Sequence, residues 1–278
     1  MTFRQPPEEF RAFLETHIQP GSSSAAAIYE RMRGGLFLLP AWESRPKVAV
    51  EIGGGTGWAT RVLSKIPGVR LSVAVDIARE YLREVVVSGY ALERVQATAE
   101  GRLPLKDDTA DFVLSSEVFE HLWKREQFVA EVRRVLRPGG LFVMTTPNLD
   151  SFGLHFLRRL PRDWARRILT RESPHHAGLH PEFFPELLEG RGRVWHVIEG
   201  ASLKDLRRIG DRAGLTTVDA GTWGLLLTPQ FWDRLPRGLR SVGMSFFRFL
   251  PFGLRHVVVV FRKGPEAKGA ARPIAPSD

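Results

Sequence analysis

A doubly wound α/β sheet, mainly parallel, is the fold this sequence predicts, and three observations lead to it. A short apolar run, Val48-Ala49-Val50, passes through Glu51 and Ile52 into Gly53-Gly54-Gly55-Thr56-Gly57, after which Ala59, Val62, Leu63 and Ile66 recur at helical spacing. That is the pattern of a buried strand, a glycine turn and a helix start. A second apolar run ends at Asp76, about twenty residues beyond the turn, where a doubly wound fold brings the second strand's end beside the first loop. Strands and helices then alternate as far as Thr145, and repeated βα units build a parallel sheet with right-handed crossovers.

Taken in order, residues 1–47 read as a helical N-terminal segment. Phe10, Phe13 and Leu14 share one helical face, and Ser22 to Ser24 offer a cap for a second helix through Ala25 to Met32. Gly34-Gly35 and Pro40 are expected to break that helix before the first core strand. The segment either lids a site or covers an edge of the sheet. The second strand is Leu71 to Val75, ending at Asp76, with a helix through Ile77 to Val87. The third is Arg94 to Ala97, followed by Thr98-Ala99-Glu100. The fourth, Phe112 to Ser116, runs into Glu117-Val118-Phe119-Glu120-His121. A helix from Lys124 to Leu136 carries Phe128, Val129, Val132 and Val135 at periods of three and four, and Arg137-Pro138-Gly139-Gly140 stops it. The fifth strand, Leu141 to Thr145, closes this half at Thr146-Pro147-Asn148. Ligands in such sheets bind beyond the carboxyl ends of the strands, and Glu51 to Gly57, Asp76, Thr98 to Glu100 and Ser115 to His121 all fall there.

Glycines suit a ligand turn because some positions demand positive φ and because a missing Cβ lets a ligand lie against the backbone. The helix start beyond the turn adds unpaired N–H groups. A tight turn with no ligand is the plainer alternative. A P-loop needs Lys-Ser or Lys-Thr after its last glycine, and here Trp58-Ala59 follows. A dinucleotide fingerprint wants a third small residue where Trp58 stands, which disfavours an NAD-dependent oxidoreductase. What remains is Glu-x-Gly-x-Gly-x-Gly, here Glu51, Gly53, Gly55 and Gly57. Asp76 suits either a ribose, whose two hydroxyls a carboxylate accepts together, or a cap on the following helix; its distance from the turn favours the ribose.

Residues 48 to about 150 resemble the core of a class I S-adenosylmethionine-dependent methyltransferase of the small-molecule type that includes quinone-precursor O-methyltransferases. The resemblance is carried by the glycine motif, Asp76, Leu103-Pro104-Leu105 before Asp111-Phe112, Glu117-Val118-Phe119-Glu120-His121, Leu136 to Gly140, and Thr146-Pro147-Asn148. It implies a Rossmann-like, seven-stranded, mostly parallel sheet whose last strand inserts antiparallel beside the sixth, with helical cap insertions. It implies S-adenosyl-L-methionine as cofactor, with S-adenosyl-L-homocysteine as product. Gly53, Gly54, Gly55 and Gly57, with Glu51, would line the methionine end, Asp76 the ribose, and Ile77 and Ala99 the adenine, with Ser116 and Glu117 also at the cofactor. The family usually has an aspartate for the adenine amino group where Thr98 stands; the threonine oxygen can accept that hydrogen bond, or Glu100 can substitute.

The second half is less regular. Residues 151–195 exceed a normal connection, and their arginines surround an apolar stripe. An aromatic and arginine-rich insertion follows at 225–255. Between them a helix from Ser202 to Ile209 leads to a sixth strand, Leu215 to Thr222; a seventh, His256 to Arg262, completes a unit spanning 196–263. The tail, 264–278, rich in Pro and Ala, is expected to be disordered. Basic amphipathic segments with aromatic anchors either cap a site or make peripheral contact with an anionic membrane. No nucleic-acid-binding module is present, and no nucleic acid partner is expected.

With 278 residues, 43% hydrophobic and 26% charged, the composition is that of a globular protein. Absent cysteine excludes disulfides and cysteine chemistry. The charge of +9 fits an anionic partner or an arginine-rich bias. No cleavable signal or spanning run is evident, and a cytoplasmic protein, peripheral at a membrane if at all, is expected. For the chemistry, a base suits a hydroxyl acceptor. His121, just past the fourth strand, is the candidate, with His196 second; the alternative for His121 is capping or packing. His175, His176 and His180 resemble a metal cluster only loosely, and no metal is expected. The reading is methyl transfer to a small or lipid-like acceptor at oxygen, against transfer to nitrogen or carbon, or a non-catalytic cofactor-binding subunit.

Overall fold

The computed structural model describes residues 7–18, 25–87, 91–150, 200–223 and 256–265. In chain order the elements are α1 (Glu8–His17), α2 (Ala25–Ser44), β1 (Val48–Ile52), α3 (Trp58–Leu63), β2 (Leu71–Asp76), α4 (Arg79–Glu84) and β3 (Leu92–Gln96). Then come β4 (Ala110–Ser116), a 3-10 turn (Phe119–His121), α5 (Arg125–Val135), β5 (Leu136–Pro147), α6 (Leu203–Arg212), β6 (Leu215–Trp223) and β7 (His256–Lys263). The seven strands form one sheet in the order β3-β2-β1-β4-β5-β7-β6. The first five are parallel, and β7 lies antiparallel between β5 and β6.

Both faces of the sheet are covered, so its central strands are buried on both sides and mostly apolar, with their polar residues gathered toward the carboxyl ends. Successive side chains of β7 divide between the layers: Val257, Val259 and Phe261 join Phe128, Val132 and Leu206 on one face. Val258 and Val260 join Phe10, Phe37, Leu63 and Val143 on the other. Gly210 of α6 sits on Phe261, where a Cβ would come within 2.2 Å of the ring. Only glycine lets that helix lie so close to the strand.

Three expectations are corrected. First, α2 does not break at Gly34-Gly35 or Pro40 but runs through both. Gly34 is where α1 crosses, since a Cβ there would meet Ile18 Cδ1 at 2.6 Å. Phe37, Leu38 and Ala41 are wholly buried, and that burial offsets the interior proline, whose cost is about 3 kcal/mol. Second, Arg137 to Gly140 belong to β5, which begins at Leu136. Leu136 pairs with Ala110 and Leu141 with Phe112, so the intervening residues bulge. Gly139 takes φ +83° there, and a Cβ on Gly140 would press on the Arg137 and Ala110 carbonyls. Third, α4 is shorter than the span Ile77 to Val87, because Val85 is extended. The serines 22–24, the histidines 175, 176, 180 and 196, the segments 151–195 and 225–255, and the tail beyond residue 265 lie outside the described residues.

Candidate cofactor and acceptor site

The glycine turn leaves β1 with Gly53, Gly55 and Gly57 at φ +73°, +50° and +74°. The Gly53 and Gly54 N–H groups donate to the Val75 carbonyl at 2.8 and 3.2 Å, fastening the turn to β2. A Cβ on Gly53 would strike Val118 Cγ2 at 2.1 Å, and one on Gly57 would strike Val85 Cγ1 at 2.7 Å. At Gly55 nothing lies within 4 Å of the place a Cβ would take. So the outer two glycines serve packing, and the central one faces open space.

Asp76 ends β2 beside this opening and is 9% exposed. Its Oδ2 accepts the Gly55 N–H and its Oδ1 the Ala78 N–H, both at 2.8 Å. An ionised carboxylate has about four acceptor positions, so each oxygen keeps capacity for a ribose hydroxyl. The two roles weighed for Asp76 are compatible. Next to it Ile77 is 36% exposed, a large apolar surface at the mouth of the site.

Glu51, by contrast, is turned under the loop. It is 5% exposed; its Oε2 accepts the Thr60 N–H at 2.7 Å and is also held by the Thr60 hydroxyl. A carboxylate against the first turn of α3 meets unpaired N–H groups and the positive end of the helix. Both contacts brace the loop from beneath.

On the next strand end, Thr98 is exposed and Ala99 half-buried. The Thr98 hydroxyl oxygen accepts the Glu100 N–H at 3.2 Å. Glu100 reaches away to the start of α5, where its Oε1 accepts the Lys124 N–H at 3.1 Å and also the Trp123 N–H. Of the two adenine candidates, Thr98 is the one whose side chain remains at the strand end.

The end of β4 carries the densest chemistry. Ser116 is 9% exposed, and Glu117 stands at φ +57°, a backbone that residues with a Cβ rarely adopt. The Thr145 hydroxyl donates to Glu117 Oε1 at 2.5 Å, and Glu117 Oε2 lies 2.9 Å from His256 Nδ1. Glu120, 2% exposed, accepts the Thr146 hydroxyl at 3.0 Å. Burial, with the neighbouring Glu117 carboxylate adding to it, pushes Glu120 up to about 8. His121 Nε2 lies 3.9 Å from Glu120 Oε1. Among the described residues no group of three or more such side chains is arranged to hold a metal.

His256 is the residue that sequence reading missed. As the first residue of an antiparallel strand it pairs with Pro147 and Trp223, at the carboxyl ends of β5 and β6. An antiparallel seventh strand puts its start, not its end, at the ligand edge, and that was the available signal.

Comparison with known proteins agrees with this geometry. A methyltransferase domain family matches residues 50–144. The malonyl-[acyl-carrier protein] O-methyltransferase of Geobacter sulfurreducens is 31% identical over 210 residues, 70% of this chain and 78% of that protein. This chain belongs to the class I S-adenosylmethionine-dependent methyltransferases. A Mycolicibacterium smegmatis protein named for S-adenosylmethionine-dependent methyl transfer is 36% identical over 129 residues, and this methyltransferase spans 42% of its length. The solved structure of a Mesorhizobium loti S-adenosylmethionine-dependent methyltransferase covers 81% of this chain, and 97% of itself, at TM-score 0.51 and 16% identity, a likeness of fold. As a member of the family, the methyltransferase takes S-adenosylmethionine as cofactor, and the open backbone at Gly55 beside Asp76 fits it. Among its described residues, no helix is long and apolar enough to cross a membrane.

Proposed function

We propose that this methyltransferase acts on an oxygen of a small or lipid-like acceptor. The observation that carries the oxygen is the Geobacter relative, an O-methyltransferase matched over 78% of its length. The lipid-like character rests on the arginine and aromatic segments of the sequence.

In this reading Gly53, Gly54, Gly55 and Gly57 line the methionine end, and Glu51 stiffens the turn from below. Asp76 takes the ribose hydroxyls, Ile77 and Ala99 flank the adenine, and the Thr98 oxygen accepts from its amino group. Ser116 and Glu117 border the methyl. When bound, the cofactor supplies a methyl carbon already activated on a cationic sulfur. The chain's own work is then to align the acceptor oxygen behind that carbon and to exclude water.

The test is to incubate the chain with methyl-labelled S-adenosylmethionine and acceptors offering a hydroxyl, a carboxylate on a malonyl thioester, or an amine. Labelled methyl ether or ester supports the reading. Label on nitrogen or carbon alone replaces it, and cofactor binding without transfer to any acceptor makes the chain a binding subunit.

A further inference from the structure

We propose that His256, held by Glu117, is the base that takes the proton of a hydroxyl acceptor; this rests on the oxygen-transfer reading. Ser115 of β4 pairs with Ile52 of β1, and Val118 packs so closely on Gly53 that a Cβ there would collide with it. Glu117 is therefore one residue from the side chain that touches the cofactor turn. Its left-handed backbone is the kind of local strain that gathers where a side chain must be aimed. The Glu117 N–H donates to the Thr145 carbonyl at 3.1 Å and the Thr145 hydroxyl donates back to the carboxylate, so Glu117 is fixed at both ends.

The aim is toward His256. Oε2 stands 2.9 Å from Nδ1, and Nδ1 is buried without an aligned hydrogen bond. The two atoms are within hydrogen-bond reach, and such contacts tighten into an aligned bond when an acceptor is seated. The ring stacks on Trp223 at 4.8 Å and 26°, which limits it to small rotations in its own plane. Its side chain keeps 13% of its surface accessible. With Nδ1 committed to Glu117, Nε2 is the nitrogen with a lone pair to offer. Glu120, protonated in neutral solution, leaves the negative charge of the carboxyl pair on Glu117. His121, the base suggested by the sequence, faces Glu120 instead.

The step balances within the site. The acceptor O–H bond breaks toward His256 Nε2 while the oxygen's electron pair forms the bond to the methyl carbon. The C–S pair returns to sulfur, and the Glu117 carboxylate offsets the imidazolium charge. His256 is the catalytic residue and Glu117 a positioning residue.

The experiment compares wild type, His256→Gln, Glu117→Gln and His121→Gln on phenol and on 4-nitrophenol. Calorimetry with S-adenosylhomocysteine checks each variant's folded cofactor site. His256→Gln is expected to lose about 100-fold or more in kcat on phenol, less on 4-nitrophenol, a far stronger acid already partly ionised in neutral buffer, with added imidazole restoring part. Glu117→Gln is expected to lose less than His256→Gln, and nitrogen-15 spectra of labelled histidine should show the Nδ1-protonated form of His256 in wild type and a mixture in this variant. Equal turnover by wild type and His256→Gln, or losses confined to His121→Gln, overturns the assignment while leaving oxygen transfer standing. A wild type that methylates nitrogen or carbon acceptors but neither phenol nor a carboxylate overturns the oxygen reading and the assignment with it. Methylation of a carboxylate alone overturns only the assignment, since that acceptor has no proton to give.

Discussion

The Asp76 carboxylate accepts the Gly55 N–H at 2.8 Å, joining the end of β2 to the one glycine of the turn that faces open space. The residue proposed to hold the ribose thus also shapes the loop proposed to hold the methionine end. Asp76→Ala is expected to weaken S-adenosylhomocysteine binding by roughly 1.5–3 kcal/mol, the scale of a charged hydrogen bond. Calorimetry reads it, and an unchanged affinity would remove Asp76 from the site.

Gly55→Ala and Gly57→Ala should fail differently. Both place a Cβ on a left-handed backbone, a strain of about 1–3 kcal/mol. At Gly57 the new methyl also meets Val85 at 2.7 Å, whereas at Gly55 it meets nothing. Gly57→Ala is expected to show the larger fall in Tm, and Gly55→Ala the larger loss of cofactor affinity relative to its fall in Tm. The reverse order would mean that the opening at Gly55 is not where the cofactor lies.

Glu120 gives stability a pH dependence. Its carboxyl is raised from an ordinary 4.5 to about 8 in the folded chain, chiefly by burial. The folded state therefore binds the extra proton between those values, and stability falls as pH rises through that window. The stabilisation is full below about 4.5 and gone above about 8. Urea unfolding of wild type minus that of Glu120→Gln should trace this decline, and a difference independent of pH would show that the carboxyl titrates normally.

Much of this was legible in advance, for identifiable reasons. The glycine spacing and Asp76 are dictated by backbone geometry within one βαβ unit, so local sequence carries them. The continuation of α2 through Pro40 is not legible locally, because propensity is local while the burial of Phe37 and Leu38 that overrides it is tertiary. The motif spacing of Glu51 is visible in the sequence, but its turn beneath the loop toward Thr60 is not. His256 escaped notice because 139 positions separate it from Glu117 and only the pairing of β7 with β5 brings them together.

A substitution at Glu51 separates loop support from ligand contact. Glu51→Ala removes the acceptor for the first turn of α3 and is expected to cost about 1–2 kcal/mol of stability, the scale of a lost helix cap. Denaturant midpoints report it. Cofactor affinity falling far more than stability would return Glu51 to the ligand's side of the loop.

The antiparallel insertion of β7 has a consequence for synthesis. During translation β5 emerges more than a hundred residues before the strand that covers its flank, and β6 has no partner until β7 arrives. Until the ribosome has released residue 263, the half-built sheet presents a bare apolar edge of the kind that seeds aggregation. A chain halted before His256 would keep that edge permanently and would be a substrate for chaperones rather than a smaller enzyme.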